Sequence, residues 1–488
     1  MQPLSNQTLS SLQGKVTLPD YRLQARQPGI GMVHLGPGAF FRGHQAWYTE
    51  QALKQGGDWG ICAVSMRSGE VAKALNPQDG LYTLVELDSA IRYQVIGAVQ
   101  KVLVAAEQYA EVLAQLSAAE TRFVTLTITE KGYCLNAAGE LDLQHPEIRQ
   151  DLKRQTQPIT AIGLLVTALQ ARYQAGEAPF CAISCDNLTD NGHKLKRALV
   201  RFAREWDPVF ASWLQSMKSP CTMVDSITPA TDDALRQQVA NELGLADAWP
   251  IKRESFLQWV IEDDLPAERP DWQSAGVIFA ADVSAFEKAK LRLLNAPHST
   301  LAYLGCLLGY ETVSDAMQDD SLVALIKRMI AEDLMPSFRA PAELDTGQYS
   351  ADILQRFQNP AIRHLLAQIA WDGSQKLPMR LLPAVRDNLA SGSSIRYLAL
   401  AVAAWCRFIC LRQQSTVPLV DPLAEQLLAV AASCTGDATA DVARFLRLSA
   451  VFGRDLATEP RFVEALTEAY QHLTDGVVSA LSHYTGVA

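Results

Sequence analysis

The chain has 488 residues, enough for two or three domains of about 150 residues each. With 48% hydrophobic and 20% charged residues, its composition is that of a globular protein and excludes a disordered or collagen-like chain. The 43 basic and 53 acidic residues give a net charge of −10, which argues against nucleic acid or an anionic membrane as a general partner.

Cysteine usage and the chain ends bear on the cellular compartment. The nine cysteines are odd in number, lack a Cys-x-x-Cys pair and mostly lie in apolar runs, which favours reduced, buried thiols in the cytoplasm. The first residues lack the basic and apolar regions of a secretory signal. The most apolar run, 397–406, is about half the ~20 residues that a membrane span needs, so we expect a buried helix there and no membrane association.

The first half of the chain alternates between strand-like and helix-like patterns. Apolar runs typical of strands occupy 31–35, 61–64, 93–96, 123–128, 180–183 and 276–279. Helical spacing of apolar residues occurs between them, at 44–53, 106–115 and 159–174. This alternation predicts an α/β domain over residues 1–283, with a parallel-rich sheet covered by helices.

The second half has almost no strand pattern. Apolar residues recur at helical spacing over 322–334, 352–357, 362–369, 395–411, 423–432 and 464–472. Residues 284–488 are therefore predicted to form a mostly α-helical domain.

A glycine turn follows the strand predicted at 31–35. Gly36 and Gly38 stand between that strand and a helical pattern, which is the context of a dinucleotide site, because glycine lets the backbone approach a pyrophosphate. The third glycine is displaced to Gly43, so a tight turn that binds nothing remains an alternative. No acid closes the second strand. Arg67 at that point is suited either to binding the 2′-phosphate of NADP or to a solvated surface position. The sequence therefore does not decide between NAD and NADP as the cofactor.

The segment 286–299 lies where the pattern changes from α/β to helical, so it is predicted to line a cleft between two domains. On a helix Lys290 and Asn295 would lie ~140° apart, with His298 between them in angle. Pro297 is expected to end the helix near Asn295 and to turn His298 back toward the lysine.

Lysine, amide and imidazole together suit hydride transfer at a secondary alcohol. A lysine whose pKa is lowered by desolvation can accept the hydroxyl proton and return it, and the other two groups can donate hydrogen bonds to the alkoxide without a metal. The alternative is a helix of solvated lysines with an asparagine cap, followed by a core histidine.

Other histidines carry no predicted chemistry. His34 is expected to be a packed core residue, and the rest show no metal-ligand spacing, so no catalytic metal is expected. These are His145, His193, His364, His472 and His483.

Seven motifs follow one another in order: Gly36-x-Gly38-x-Phe40-x-Arg42-x-His44-Gln45, Asp79-Gly80-Leu81-Tyr82-Thr83, Thr127-Ile128-Thr129-Glu130-Lys131-Gly132-Tyr133, Ser184-Cys185-Asp186-Asn187, Val224-Asp225-Ser226-Ile227-Thr228-Pro229, Lys290-x4-Asn295-x2-His298 and Asp372-Gly373-Ser374-Gln375-Lys376. Through them nearly the whole chain resembles the polyol-specific long-chain dehydrogenases, the mannitol dehydrogenase family. The resemblance implies a Rossmann-type NAD-binding N-terminal domain, an α-helical substrate domain, and NAD(H) chemistry that needs no metal.

The resemblance also implies roles for individual residues. Lys290 is the general acid/base, and Asn295, His298 and Asn187 hold the reacting oxygen. Asp225 and Lys376 contact the substrate chain, and Glu287 assists proton exchange with solvent. The cofactor residues are Gly36, Gly38, Ala39, Phe40, Arg42 and Glu130. Without the resemblance, the sequence does not distinguish Asn187 from Asn191 as the ligand of the reacting oxygen. Asp225 would be interpreted as a turn or helix-capping acid, and Lys376 as a surface lysine.

Ser226 stands where mannitol-specific members carry arginine. The resemblance therefore favours the hexonate branch, which interconverts D-fructuronate and D-mannonate with NAD. Such a substrate carries a carboxylate and needs a further cation, with Lys376, Arg380 and Arg363 as candidates. Oxidation of mannitol, reduction of tagaturonate and non-catalytic dinucleotide binding are the alternatives. We expect a small sugar acid or polyol as the ligand and a monomer or small homo-oligomer.

Overall fold

The computed structural model describes residues 1–88, 90–153 and 157–487. The chain divides into two compact units, Met1–Ser284 and Ala285–Ala488. All the described strands belong to the first unit, whereas the second is built from helices.

The first unit contains a parallel sheet of five strands. The strands of this unit are β1 (Ile30–Leu35), β2 (Gly60–Ser65), β3 (Tyr82–Leu87), β4 (Arg92–Ile96), β5 (Val99–Val104), β6 (Phe123–Leu126), β7 (Cys181–Ser184), β8 (Thr222–Asp225), β9 (Ile251–Glu254), β10 (Gln258–Glu262) and β11 (Ile278–Ala280). The main sheet has the order β5-β2-β1-β6-β7, and each neighbouring pair is parallel. Every residue of β2, β6 and β7 is buried, as expected for strands covered on both faces.

Two three-stranded sheets flank the main one, with the orders β4-β3-β9 and β11-β10-β8. The runs predicted at 93–96 and 276–279 are strands, but they lie in these smaller sheets, so their assignment to the parallel sheet was wrong. The edge strand β5 was missed. Gln100 and Lys101 interrupt its apolar pattern, which an edge position tolerates because one side of the strand is unpaired.

Ten helices cover the strands of the first unit: α1 (Asp20–Leu23), α2 (Ala39–Gly43), α3 (Gln45–Gln55), α4 (Glu70–Leu75), α5 (Tyr109–Ser117), α6 (Pro146–Leu152), α7 (Ala161–Ala175), α8 (Asn191–Trp206), α9 (Pro208–Leu214) and α10 (Asp233–Leu243). Side-chain caps fix several of their starts. Thr160 accepts a hydrogen bond from the Gly163 N–H at the start of α7, and Asp232 accepts one from the Leu235 N–H at the start of α10.

The second unit is helical throughout its described length. Its helices are α11 (Val283–Lys290), α12 (Ala296–Leu308), α13 (Val313–Ala316), α14 (Asp320–Arg328), α15 (Thr346–Gln358), α16 (Leu366–Ile369), α17 (Gly373–Arg380), α18 (Leu382–Ser391), α19 (Arg396–Gln413), α20 (Ala424–Ala432), α21 (Ala438–Leu446), α22 (Ser449–Phe452), α23 (Pro460–Asp475) and α24 (Val477–Thr485). Two π-helical segments, Leu291–Asn295 and Met329–Leu334, follow α11 and α14.

The apolar run 397–406 belongs to a buried helix, as predicted. It forms most of α19, is buried along its length, and contacts α12, α20 and α23. The prediction of a helix over 362–369 was largely wrong, since α16 begins only at Leu366.

The architecture confirms the predicted fold class, an α/β domain with a parallel Rossmann-type sheet and a mostly helical second part. None of the helices in the described ranges combines the length and apolar character needed to cross a membrane.

Candidate active site

The glycine turn lies at the topological switch point of the parallel sheet. Strands β2 and β5 extend from one side of β1, and β6 and β7 extend from the other. The carboxyl end of β1 is therefore the place where the chain connections diverge, and ligands of open parallel sheets bind in the crevice that this creates. Gly36 follows β1 directly, and Thr127 follows β6 beside it.

The two glycines of the turn have different physical roles. Gly36 has a φ of +89°, and a Cβ there would lie 2.2 Å from the Thr127 carbonyl oxygen, so only glycine fits. Gly38 has an ordinary φ of −70°, and a Cβ there would meet nothing nearer than the Gly36 oxygen at 3.9 Å. The space above Gly38 is thus open at the start of α2, where a dinucleotide pyrophosphate fits.

His34 holds this turn against β6. Its Nε2 lies 3.1 Å from the Gly36 carbonyl oxygen and 3.0 Å from Thr127 Oγ1, while Nδ1 lies 2.7 Å from Thr125 Oγ1. The ring also stacks on Phe41 at 3.5 Å. The side chain is fully buried, as predicted, but its contacts also shape the candidate cofactor site. Burial lowers the pKa of His34 to about 3, so the ring is neutral at pH 7.

This depressed pKa predicts acid sensitivity of the first unit. The pKa of His34 is 6.5 in the unfolded state and about 3 in the folded state. The contribution of His34 to the free energy of unfolding is therefore fully present above pH 6.5 and is lost as the pH falls toward 3. Between pH 7 and pH 5 His34 should lower the free energy of unfolding by about 2 kcal/mol. Denaturant titrations at both values for the wild type and His34→Asn measure this. The variant should show a drop smaller by that amount, and equal drops would contradict the assignment.

The other predicted cofactor residues are placed around α2 and the end of β6. Ala39 and Phe40 open α2 and are half-buried. The Arg42 guanidinium faces the interior instead, where Nη1 donates to the Trp249 carbonyl at 2.8 Å, so Arg42 anchors α2. Glu130 is exposed in a 3₁₀ turn after β6.

Asp186 organises the turn that leads to Glu130, a role that sequence reasoning missed. Its carboxylate accepts hydrogen bonds from the Ile128 N–H at 3.0 Å and the Thr129 N–H at 2.8 Å. The Tyr133 hydroxyl donates to the same carboxylate at 2.6 Å. Burial raises the pKa of Asp186, although these three donors oppose the shift. The carboxylate thus fixes the loop after β6 and the position of its own neighbour, Asn187.

A cavity of about 510 Å³ opens beside the ends of β2 and β6. Met66 and Arg67 line it after β2, and Thr129 lines it after β6. This is the edge of the sheet that carries the glycine turn. Arg67 forms an ion pair with Glu147, which also lines the cavity, so its charge is partly neutralised.

The structure separates the two asparagines that the sequence left equivalent. Asn191 is fully buried, and its amide nitrogen donates to the Ser184 carbonyl while its amide oxygen accepts from the Thr222 N–H at 2.8 Å. That side chain ties β7 to β8 and is committed to the fold. Asn187 is exposed just beyond the carboxyl end of β7, where a ligand can reach it.

Two further predicted residues are placed in strand and helix. Asp225 is buried, 5% exposed, and is the last residue of β8. It does not cap a helix, since Asp232 caps the next one. Glu287 is half-buried in α11, one turn before Lys290.

The helix that carries Lys290 does not end at Asn295, so the expected break at Pro297 was wrong. Lys290 closes α11, the segment Leu291–Asn295 is a π turn, and α12 begins at once with Pro297 in its first turn. A proline ring clashes with the carbonyl four residues earlier in an α-helix, and the wider π turn gives it room.

The π turn changes which side chains share a face. Because i→i+5 hydrogen bonding takes about one residue more per turn, rotation falls from 100° to roughly 80° per residue. Lys290 and Asn295 then lie roughly 40° apart instead of 140°, and His298 lies within roughly 20° of Lys290. Lysine, amide and imidazole are therefore brought onto one helix face by a local widening.

The neighbouring cations occupy another face. Lys288 Nζ lies 3.1 Å and Arg292 Nη2 lies 2.7 Å from the Asp387 carboxylate of α18. These two residues anchor the helix, whereas Lys290 is half-buried. Lys288 is thus exposed and paired, and the catalytic role of Lys290 stays a prediction.

His298 is enclosed by aromatic and cationic groups. Its ring stacks on Phe357 with centroids 5.1 Å apart and lies 4.7 Å from the His364 ring. Burial lowers the pKa of His298 well below its usual range, and His364 and nearby cations lower it further, so the ring is neutral at pH 7. Within the described residues, its Nε2 atom is buried without a hydrogen-bond partner.

The three cations considered for a substrate carboxylate have different surroundings. Lys376 and Arg380 lie one turn apart on α17, and burial lowers the pKa of both. Lys376 Nζ donates to the Ile369 carbonyl at 3.0 Å. Arg363 is 70% exposed and pairs with Glu311 on the surface. Arg356, which the sequence did not single out, is 9% exposed next to Phe357.

Among the residues that the structure describes, three groups of side chains have ligand atoms close enough to hold a metal ion: Cys134, His145 and Glu147; Asp190, His193 and Cys221; and Glu468, His472 and His483. Each group is local, and none includes a residue of the Lys290 helix. Metal-independent chemistry stays a prediction.

The profile of the mannitol dehydrogenase Rossmann domain matches residues 30–274, and that of the mannitol dehydrogenase C-terminal domain matches residues 282–474. The chain belongs to the mannitol dehydrogenase family. The resemblance drawn from the motifs is thereby confirmed, and the protein is an oxidoreductase of this family.

Individual members of the family align along nearly the whole chain. D-mannonate oxidoreductase of Escherichia coli (strain K12) is 41% identical, covering 93% of this chain and 94% of that protein. Mannitol 2-dehydrogenase of Phaeosphaeria nodorum is 35% identical over 99% of this chain and 85% of that protein. The structure of Pseudomonas fluorescens mannitol 2-dehydrogenase in a ternary complex with NAD and D-mannitol has 34% identity and a TM-score of 0.82, covering 100% of both chains.

Proposed function

We propose that this protein interconverts D-fructuronate and D-mannonate by NAD(H)-dependent hydride transfer, with Lys290 as the general acid/base and without a metal. The observation that carries the proposal is the π turn, which places Lys290, Asn295 and His298 on one helix face. The 41% identity to D-mannonate oxidoreductase of E. coli supports the hexonate substrate.

The cofactor would be held by the glycine turn. Gly36, Gly38, Ala39 and Phe40 supply the open backbone at the switch point, and the exposed Glu130 follows the adjacent strand. When bound, NAD⁺ accepts a hydride from the alcohol carbon. NAD fits better than NADP because Arg67 is already paired with Glu147, which weakens its attraction for a 2′-phosphate, and the Pseudomonas relative binds NAD.

The chain's own residues would handle the proton and the reacting oxygen. In oxidation, the neutral amine of Lys290 takes the hydroxyl proton as the hydride leaves the carbon that bears this hydroxyl. In reduction, the ammonium returns the proton to the oxygen. Asn295, the neutral His298 and Asn187 donate hydrogen bonds to the oxygen as negative charge develops on it.

Three further residues complete the proposed machinery. Asp225 and Lys376 would contact the hydroxyls along the substrate chain, and Glu287 would pass the proton of Lys290 to solvent. Glu287 precedes Lys290 by three residues on α11, a spacing that places both side chains on neighbouring parts of the helix surface.

A substrate comparison tests the proposal. We expect NADH oxidation, followed at 340 nm, to be fastest with D-fructuronate, slower with D-tagaturonate and slowest with D-fructose. Each ketone is assayed at several concentrations so that kcat/KM values are compared, and NADPH replaces NADH in a parallel series. Faster turnover of fructose than of either uronate would assign the protein to mannitol oxidation instead. No turnover together with cofactor binding would indicate a non-catalytic dinucleotide-binding protein.

The free thiols and the net charge bear on the compartment and the partners of this enzyme. All nine cysteines are free, which supports a reducing compartment such as the cytoplasm. A monomer or small homo-oligomer acting on a small sugar acid or polyol fits the acidic balance of the chain.

A further inference from the structure

Arg380 is a partly buried cation without an acidic partner. Its Nη1 atom donates to Ser299 Oγ at 3.1 Å, and across the described parts of the chain no carboxylate pairs with it. Buried arginines elsewhere have charged or carbonyl partners, since Arg292 pairs with Asp387, Arg253 pairs with Glu86, and Arg172 donates to three backbone carbonyls. A guanidinium presents five donors in a planar fork, so one hydroxyl leaves most of its capacity unused.

Ser299 connects this cation to the residues of the candidate active site. It is the next residue after His298 and lies nine residues beyond Lys290 on the same continuous helix. A group that accepts from Arg380 would therefore be bound beyond His298 along the helix from Lys290, as expected for a part of the substrate that extends past its reacting alcohol.

Two more cations surround the same position. Lys376 lies one turn before Arg380 on α17, so both side chains share a helix face. Arg356 is buried beside Phe357, whose ring stacks on His298. All three cations act on His298 electrostatically.

Two acids lie near Lys376, at the start of α17. Asp421 accepts hydrogen bonds from the Ser374 N–H at 2.8 Å and from the Ser374 hydroxyl at the start of α17. Asp372 lies at the same end of that helix, and its negative charge opposes the lowering of the Lys376 pKa. Both acids therefore lie at the Ser374 end of α17, whereas Arg380 is the last residue of that helix.

Polar atoms without partners lie in the same place. In the described ranges, His298 Nε2 and the Tyr303 hydroxyl are both buried with no hydrogen-bond partner. The Tyr303 hydroxyl lies near Arg380. Because buried polar atoms are almost always satisfied, these two indicate a ligand that carries hydroxyl groups as well as an anion.

We propose that Arg380, with Arg356 and Lys376 beside it, binds the carboxylate of a sugar-acid substrate and so determines the preference for hexonates over neutral polyols. This rests on the proposed function, because it takes the same active site and names the residues that select its substrate class. A planar fork matches a carboxylate in two-point geometry, and a half-buried setting strengthens the interaction over that of a surface arginine.

The test compares D-mannonate with D-mannonamide, a neutral substrate of the same shape. In Arg380→Gln the ratio of kcat/KM for the acid to that for the amide should fall about 10- to 100-fold, with the loss mainly in KM. Arg363→Gln is the matched control, since Arg363 pairs with Glu311 on the surface, and its ratio should equal that of the wild type. An equal loss for acid and amide, or no loss, would overturn the inference.

Two measurements separate this inference from the proposed function. If Arg380→Gln does not fold, as judged by thermal melting, Arg380→Lys replaces it. That variant keeps the charge but not the fork, and an unchanged ratio in it would count against two-point binding. If the wild type oxidises a neutral polyol but not mannonate, the proposed function fails. Mannonate is then tested as a competitive inhibitor of polyol oxidation. Weaker inhibition in the variant would support the carboxylate site, and equal inhibition would overturn it.

Discussion

Replacing Lys290 by alanine should lower kcat for mannonate oxidation about 10³-fold while leaving NADH binding intact. The loss is large because Glu287 is proposed to exchange protons through Lys290 and not with the substrate, and the neutral His298 is enclosed by cations that oppose its protonation. Turnover is followed by NADH absorbance, and cofactor binding by NADH fluorescence.

Lys288→Ala is the matched control for this variant. Lys288 belongs to the same helix but pairs with Asp387, so its removal should lower stability slightly and leave turnover within a fewfold of the wild type. Small primary amines provide a second readout. If Lys290 acts only as a base, methylamine should restore part of the activity of Lys290→Ala in proportion to its unprotonated fraction. Near-full activity of Lys290→Ala without amine would disprove the acid/base role.

The sequence predicted a lysine, an amide and an imidazole close together but not the geometry of the helix that carries them. Helical angles of 100° per residue put Lys290 and Asn295 ~140° apart, and the sequence predicts a chain reversal at Pro297 that brings His298 back. The π turn achieves the convergence without a reversal. One extra residue in a helical turn cannot be recognised from the apolar pattern, because the residues on either side keep their own helical periodicity. Pro297 was the only local sign of an irregularity in this helix.

Contacts between distant parts of the chain account for the other differences. Asn191 and Asn187 cannot be distinguished from the sequence. Only the hydrogen bonds of Asn191 to β7 and β8 show that its side chain has a structural role. His34 was predicted as core, which its burial confirms, yet its bonds to the turn at Gly36 depend on β6, some ninety residues away. Arg356 gave no local signal, since it lies in an ordinary amphipathic helix.

Valine at Gly38 should weaken NADH binding at least 10-fold with little effect on folding. The backbone at Gly38 has a φ of −70°, which any residue adopts, and a Cβ there meets no protein atom closer than 3.9 Å. Added methyl groups would occupy the open space above the turn, where the pyrophosphate is proposed to lie. Alanine at Gly36 should instead cost stability, because its Cβ would lie 2.2 Å from a carbonyl oxygen and its φ is +89°.

The pair of glycine variants distinguishes a cofactor site from a tight turn that binds nothing. Thermal melting reports the fold, and fluorescence titration with NADH reports binding. In the tight-turn alternative only Gly36→Ala would matter, through folding, and Gly38→Val would bind NADH as the wild type does. In a cofactor site Gly38→Val melts at the wild-type temperature and binds weakly, since the space it fills belongs to the ligand and not to the protein.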